Sequence, residues 1–263
     1  MSLPESKDGR EVKLPSEVGA DDGAAEAEES IRITASMLAE GARPDVRLEF
    51  ERGMSYLPRM ALAVVVINVI AFVWQVRTGA LESRGAVVAA GALYGEAVWR
   101  GEWWRLFSAM FLHGSVDHLV GNCIALYIVG MACEHAVGFS RAAVVYLVSG
   151  LSGSALSVTM SPGPSVGASG AIFGVLGSVV VFLYKYQKFF FLRDKRIGSV
   201  LMLWAGYQVA IGFLTPFVDN FAHIGGLVGG ALVTLMVGSP VVAAWRARQH
   251  GNSDVPPGKE GGW

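Results

Sequence analysis

One serine and three histidines of this chain lie where apolar stretches begin. Ser169 is flanked by glycine in GASG, at the start of a run that continues to Tyr186, and His223 lies near the start of AHIGGLVGG. His113 and His118 stand at the beginning of another apolar run. A serine hydroxyl is a weak nucleophile that needs a base within hydrogen-bond distance, and histidine has a suitable pKa for that task. These residue types predict a nucleophile at Ser169 and a general base at His223.

His118 and Asn122 are four residues apart, so on a helix they share one face. Both side chains can donate hydrogen bonds to a developing negative charge. Losing one such oxyanion donor costs roughly 3–4 kcal/mol of transition-state stabilisation in enzymes that transfer acyl groups. The glycines beside Ser169 also leave backbone N–H groups free to serve as donors. The pattern favours acyl transfer to serine, with water as the final acceptor.

Two acidic residues and one histidine near this set have other expected roles. Asp219 precedes His223 by four residues and could orient it as in a triad. An aspartate in a loop before a helix is more often an N-cap, which is the role that we expect here. We expect Asp117 to be solvated and His113 to be a structural hydrogen bonder.

The composition indicates an integral membrane protein. The chain has 263 residues, of which 52% are hydrophobic and 16% are charged, whereas soluble domains have about 25% charged residues. Each of six apolar stretches approaches the roughly 20 residues that cross a bilayer. They are 59–76, 116–133, 139–159, 168–186, 197–214 and 220–238.

We therefore predict an all-α polytopic membrane protein with a bundle of six transmembrane helices. The predicted domains are a polar, largely disordered N-terminal cytoplasmic segment (1–58), a membrane domain (59–238) and a cytoplasmic C-terminal tail (239–263). Between the first two spans, residues 77–115 form a long connection with an aromatic cluster suited to a membrane interface.

The distribution of lysine and arginine predicts the orientation. Five of them cluster at 185–196, and the loops 160–167 and 215–219 have none. The positive-inside rule then places both termini in the cytoplasm of a multi-pass cell-membrane protein, although the long connection also carries arginines. With that orientation the second, fourth and sixth spans run in one direction, so their first turns share one membrane face. Glycines on the fourth and sixth spans predict close approach of those helices. They are Gly167, Gly170, Gly174, Gly177, Gly225, Gly226, Gly229 and Gly230.

Other functional classes receive less support. A net charge of −1 argues against nucleic-acid binding. Cys123 and Cys133, the only cysteines, indicate neither a metal cluster nor a disulfide framework, and we expect no cofactor and no metal. A transporter can also use buried His, Asn and Ser, but here these groups cluster at one face instead of crossing the membrane.

Four motifs in order resemble the rhomboid family of intramembrane serine proteases, across roughly 85–238. They are Trp104–Arg105, HGSVDHLVGN, GASG and AHIGGLVGG. The resemblance implies a Ser169–His223 dyad without an essential aspartate, and an oxyanion hole of His118, Asn122 and the Ser169 N–H.

The resemblance also implies membrane-protein substrates with a transmembrane segment, and a lateral gate on the fifth span near Trp204 and Phe213. Many family members carry tyrosine four residues after the serine. Phe173 stands there in this chain, so the stacking face is kept and the hydroxyl is absent. The alternative is a catalytically silent rhomboid-like binding protein or a transporter-like protein.

Overall fold

The computed structural model describes residues 48–188, 190–191, 203, 205–208, 210, 218–239 and 242–243. In chain order the elements are β1 (Leu48–Glu49), α1 (Arg59–Arg77), α2 (Arg84–Ala89), α3 (Gly95–Trp99), α4 (Arg105–Ser108), α5 (Val116–Val137), α6 (Phe139–Met160), α7 (Ser169–Lys185), β2 (Phe190–Phe191) and α8 (Asn220–Met236). The predicted fifth span, with Trp204 and Phe213, lies outside the described residues apart from a few positions. The count of six spans therefore stays a prediction.

The long helices confirm the predicted class, a helical polytopic membrane protein. Among the described residues, α1, α5 and α6 are long and apolar enough to cross a membrane. Helices α7 and α8 are apolar and have 17 residues each. Large apolar side chains are exposed on the outer faces of these helices and of α1. Leu232 of α8 and Ile70 of α1 are examples, as expected for surfaces that contact lipid.

Helices α5, α7 and α8 run in the same direction, as predicted. Gly226 of α8 lies against Gly170 of α7, and further along both helices the Oγ1 of Thr234 donates to Oγ of Ser178 at 2.7 Å. The Sγ of Cys133, near the end of α5, is 3.6 Å from the same Ser178 oxygen. The first turns of α5, α7 and α8 consequently lie at one end of the bundle.

Helix α6 runs antiparallel to α8, because its end bonds to Asp219 at the start of α8 and Ser149 and Ser152, earlier in α6, lie against Gly229. Of the four glycines that we predicted to face α7, only Gly226 and Gly230 do so, because a Cβ on either would overlap a carbonyl of α7. Gly225 and Gly229 face α6 instead, where a Cβ would meet backbone or side-chain atoms of Ser152 within 2.7 Å. Small residues on two faces therefore let α8 approach two helices at once.

The connection between α1 and α5 shapes the loop that leads to Ser169. Leu93 and Ser165 exchange both backbone hydrogen bonds, at 2.9 and 2.8 Å, and the N–H of Gly167 donates to the carbonyl of Ala109 at 2.9 Å. The guanidinium of Arg105 donates to two backbone carbonyls of the connection and to Glu102. Arg105 is 6% exposed, so its charge is compensated inside the protein by these partners. This explains one of the arginines in a connection that the positive-inside rule places outside the cytoplasm.

The opposite end of the bundle holds residues 48–50, a short stretch before α1. Strands β1 and β2 form a two-residue parallel pair. Phe50 is buried, and its ring packs edge-on against His135 of α5 at 5.1 Å and tilted against Phe182 of α7 at 5.8 Å. Oε1 of Glu134 accepts a hydrogen bond from the N–H of Ala61 at 3.0 Å, which satisfies a donor in the first turn of α1.

Candidate active site

Ser169 and His223 lie on neighbouring helices and their side chains meet. Ser169 is the first residue of α7, and His223 lies in the first turn of α8. Nε2 of His223 is 2.9 Å from Oγ of Ser169. At that distance the hydroxyl can donate to the imidazole when the ring proton is on Nδ1. His223 is 3% exposed and Ser169 is half-buried, so bulk water competes little for this hydrogen bond.

The backbone in front of Ser169 is arranged by glycine and ends in uncapped donors. Gly167 has a positive φ, a conformation that a residue with a side chain rarely adopts. Helix α7 begins directly after its N-cap residue, Ala168, whose side chain makes no capping hydrogen bond with the first turn. The first N–H groups of a helix have no intrahelical partner, and the N-terminus attracts negative charge. The N–H groups at Ser169 and Gly170 are thus placed to donate to an oxyanion.

His118 and Asn122 of α5 lie against the same turn. A Cβ on Gly167 would be 2.8 Å from Nε2 of His118 and 3.5 Å from Nδ2 of Asn122, so these side chains occupy the space beside the glycine. Ser115 caps α5 by accepting from the N–H of His118 at 3.2 Å, which fixes where the helix starts. Nδ2 of Asn122 is buried and has no hydrogen-bond partner among the described residues. A buried, unpaired donor at this position fits a group that waits for an acceptor.

Phe173 packs against the predicted base. Its ring is parallel to the imidazole of His223, with 4.2 Å between the centroids and 9° between the planes. Because Phe173 lies one turn after Ser169 on α7, the serine and the stacking ring are carried by one rigid helix. The ring limits the rotation of the imidazole without forming a hydrogen bond to it.

The backbone of His113 is held by Gln75, whereas Nε2 of its ring is buried without a hydrogen-bond partner among the described residues, so the structural role expected for this side chain stays a prediction. The backbone N–H of His113 donates to Oε1 of Gln75 at 2.9 Å, and its carbonyl accepts from Nε2 of Gln75 at 3.1 Å. The ring is buried and lies 5.2 Å from the ring of His118, with Nδ1 3.3 Å from the carbonyl of Phe111. Burial lowers the pKa of His113 to about 4, and the neighbouring His118 acts in the same direction. Gln75 was not predicted from the sequence, where its only signal was an amide inside an apolar run.

Asp219 caps α8, as the sequence predicted. Its Oδ1 accepts from the N–H of Ala222 at 3.0 Å. Nδ1 of His223 is buried and has no hydrogen-bond partner within the described ranges. Asp117 is exposed. The four residues expected to act in catalysis or in the oxyanion hole are thus brought to one end of the bundle, and neither aspartate bonds to the imidazole.

Comparisons with known proteins give a consistent result. The profile of the Rhomboid domain matches residues 100–240, more than half of the chain. "Rhomboid protease GluP" of Bacillus subtilis is 34% identical over 191 residues, which are 73% of this chain and 37% of that protein. "RHOMBOID-like protein 5" of Arabidopsis thaliana is 41% identical over 143 residues, 53% of this chain and 46% of its own length. "Rhomboid protease AarA" of Providencia stuartii is 29% identical over 204 residues, 67% of this chain and 71% of its own. The chain therefore spans less than half the length of the first two relatives.

Proposed function

Because the chain belongs to the rhomboid family, we propose that it is an intramembrane serine endopeptidase in which Ser169 is the nucleophile and His223 the general base. It is a multi-pass helical membrane protein, and relatives at 34% and 29% identity are named proteases. The observation that carries the proposal is the distance of 2.9 Å between Nε2 of His223 and Oγ of Ser169, at the end of the bundle where α7 presents uncapped N–H groups.

The proposed reaction has two halves. Nε2 of His223 takes the proton of Ser169 as the serine oxygen bonds to the scissile carbonyl carbon. The former carbonyl oxygen becomes negative and accepts hydrogen bonds from His118, Asn122 and the N–H of Ser169. The imidazolium then gives its proton to the leaving amine as the C–N bond breaks, which leaves an ester on the serine. In the second half the same ring deprotonates water, which attacks the ester and restores the serine.

The substrates that fit this site are membrane proteins with a transmembrane segment. The backbone carbonyls of a helix are hydrogen-bonded along the helix axis, so the segment must unwind before the serine can attack. Small or helix-breaking residues at the cut lower the free energy of that unwinding. We place the site toward the outer face of the cell membrane, with both termini in the cytoplasm, because the basic residues near Lys185 lie at the other end of α7.

Purified protein in liposomes tests the proposal, with a reporter that carries one transmembrane segment containing small residues. Ser169→Ala and His223→Ala should each abolish cleavage, and a fluorophosphonate should label wild type but not Ser169→Ala. Ser178→Ala is the matched control, because it removes a buried, hydrogen-bonded serine from the same helix more than two turns away. It should cleave and be labelled like wild type.

Equal cleavage by wild type and Ser169→Ala would refute the protease assignment. A wild type that neither cleaves nor becomes labelled would instead support the silent, rhomboid-like alternative. Labelling of another serine in the Ser169→Ala variant would show that the nucleophile is assigned wrongly.

A further inference from the structure

Asp219 does more than cap α8, because its carboxylate also bonds to the end of α6. Its Oδ1 accepts from Oγ of Ser161 at 2.7 Å as well as from the N–H of Ala222. Its Oδ2 accepts a hydrogen bond from Oγ of Ser157. Three donors from two helices thus meet on one carboxylate. Hydrogen bonds to an ionised acceptor are about twice as strong as those between neutral groups.

The two serines are spaced to form one receptor for this group. Ser157 lies in the last turn of α6, and Ser161 is the C-cap residue of the same helix. They are four residues apart, so both hydroxyls project from one face. The N–H of Ser161 also donates to the carbonyl of Ser157 at 2.7 Å. Ser157 is 2% exposed. The last turn of α6 and the first turn of α8 are therefore joined through Asp219.

The seam between α7 and α8 needs such a fixed point. Apart from the hydrogen bond and the ring stack that His223 makes with α7, these helices approach each other near the site through backbone, as at Gly170 and Gly226. Glycines allow close approach, but they offer no side chain that interlocks and stops one helix from sliding or rotating against the other. On α8, the interhelical hydrogen bond of Thr234 lies about three turns beyond His223.

The same contacts argue against a direct bond between Asp219 and the base. Both carboxylate oxygens already accept hydrogen bonds from α6 or from the cap, and Nδ1 of His223 is unpaired among the described residues. The link from Asp219 to His223 runs through the backbone, since the N–H of His223 donates to the carbonyl of Asp219 at 3.2 Å.

We infer that Asp219 is a positioning residue: with Ser157 and Ser161 it fixes the height and rotation of the first turn of α8, so that His223 stays within hydrogen-bond distance of Ser169. The inference rests on the proposed protease function and adds to it a tether between the helix that carries the base and a helix that carries no catalytic group. The hydrogen bonds of Asp219, and not its charge acting on the imidazole, are what the reaction requires.

The test measures kcat, KM and thermal midpoint for five proteins: wild type, Asp219→Ala, Asp219→Asn, the double variant Ser157→Ala/Ser161→Ala, and Thr234→Val. Asp219→Ala and the double serine variant should lower kcat by about tenfold or more with KM nearly unchanged, because a misplaced base slows chemistry and not binding. Asp219→Asn should recover most of kcat, since an amide oxygen can still accept from the cap and from one serine while its NH₂ donates to the other. Thr234→Val is the matched control, which should lower the thermal midpoint and leave kcat unchanged.

Three results would each overturn the inference. The first is a kcat of Asp219→Asn as low as that of Asp219→Ala, which would show that the charge is essential. The second is wild-type kcat in the double serine variant, which keeps the carboxylate and the cap and so carries the test if Asp219→Ala does not fold. The third is a loss of kcat in Thr234→Val equal to that of the tether variants.

A stability cycle separates this inference from the proposed function. Replacing both serines should lower the thermal midpoint in the wild-type background. In the Asp219→Ala background the same replacement should lower it much less, because the carboxylate that the serines bind is already absent. Additive effects in this cycle would refute the tether, whether or not any substrate is cleaved. A wild type without activity but with strong coupling would refute only the function.

Discussion

Replacing Gly153 by alanine places a methyl group between α6 and the first turn of α8. A Cβ there would lie 2.5 Å from the carbonyl oxygen of Ala222, whereas ordinary contact begins at 3.4 Å. Protein interiors are close-packed and have little room to absorb the overlap, so this carbonyl must retreat by roughly 1 Å. His223 follows Ala222, so its imidazole, now 2.9 Å from Ser169, would be displaced relative to the serine by a similar amount. A displacement of that size takes the pair out of hydrogen-bond geometry.

We expect Gly153→Ala to lower kcat between about tenfold and a hundredfold, because a misplacement near 1 Å can cost about a hundredfold in rate. We expect this loss although the substitution raises intrinsic helix propensity, since alanine is favoured over glycine in a helix interior by about 1 kcal/mol. Cleavage of a transmembrane reporter in liposomes gives kcat, and the rate of fluorophosphonate labelling reports on Ser169 without a substrate.

Gly121→Ala is the matched control. Gly121 lies inside α5, is exposed, and has no atom within 4 Å of the point where a Cβ would stand. It should keep the wild-type rates. If Gly153→Ala cleaves and labels at the wild-type rate while its thermal midpoint is unchanged, the contact between α6 and α8 does not set the position of the base, and the reasoning is refuted.

Three further changes and one titration give separate expectations. Phe173→Ala should lower kcat severalfold, since it removes an aromatic pair, and such pairs contribute roughly 1 kcal/mol. Phe173→Tyr should keep the stack on His223 and the rate. Gln75→Leu should lower the thermal midpoint and slow labelling, because the buried N–H and C=O of His113 lose their partners, at about 1–3 kcal/mol for each unpaired group. Gln75→Glu keeps the acceptor, so its thermal midpoint and labelling rate should fall less than those of Gln75→Leu. Phe50→Ala should cost about 3–5 kcal/mol of stability, read as a lower thermal midpoint, with cleavage retained at low temperature because the ring lies at the opposite end of the bundle. The wild-type midpoint should fall as the pH drops from 6.5 toward 4, because the pKa of His113 is lowered to about 4 in the folded state and the unfolded chain binds the proton first. His113→Leu should show a smaller fall, and an equal fall would exclude this cause.

The helices and the main site residues could be predicted from the sequence because they depend on local patterns. Apolar runs near 20 residues predict membrane helices wherever they occur, and the observed bounds of α1, α5, α6, α7 and α8 differ from the predicted spans by only a few residues. Polar groups at the starts of such runs are costly in a membrane and therefore indicate function. Ser169, His223, His118 and Asn122 could be predicted on this basis without any knowledge of contacts.

Contacts between residues far apart in sequence could not be predicted in this way. Whether Gly225 faces α7 or α6 depends on the rotation of α8 about its axis, which is set by packing against both helices at once. The partners of Gln75 and Phe50 are likewise chosen by the assembled bundle.

The sequence by itself determined that the chain is built of membrane helices, that three of them begin with polar groups, and which of those groups have the chemistry of a nucleophile, a base and oxyanion donors. Tertiary structure alone decided that Nε2 of His223 lies 2.9 Å from Oγ of Ser169, and that Asp219 bonds to Ser157 and Ser161 instead of to the base. The physical reason is one of range. Hydrophobicity and helix period act over neighbouring residues, whereas a hydrogen bond between two helices depends on their separation and rotation to within a few tenths of an ångström.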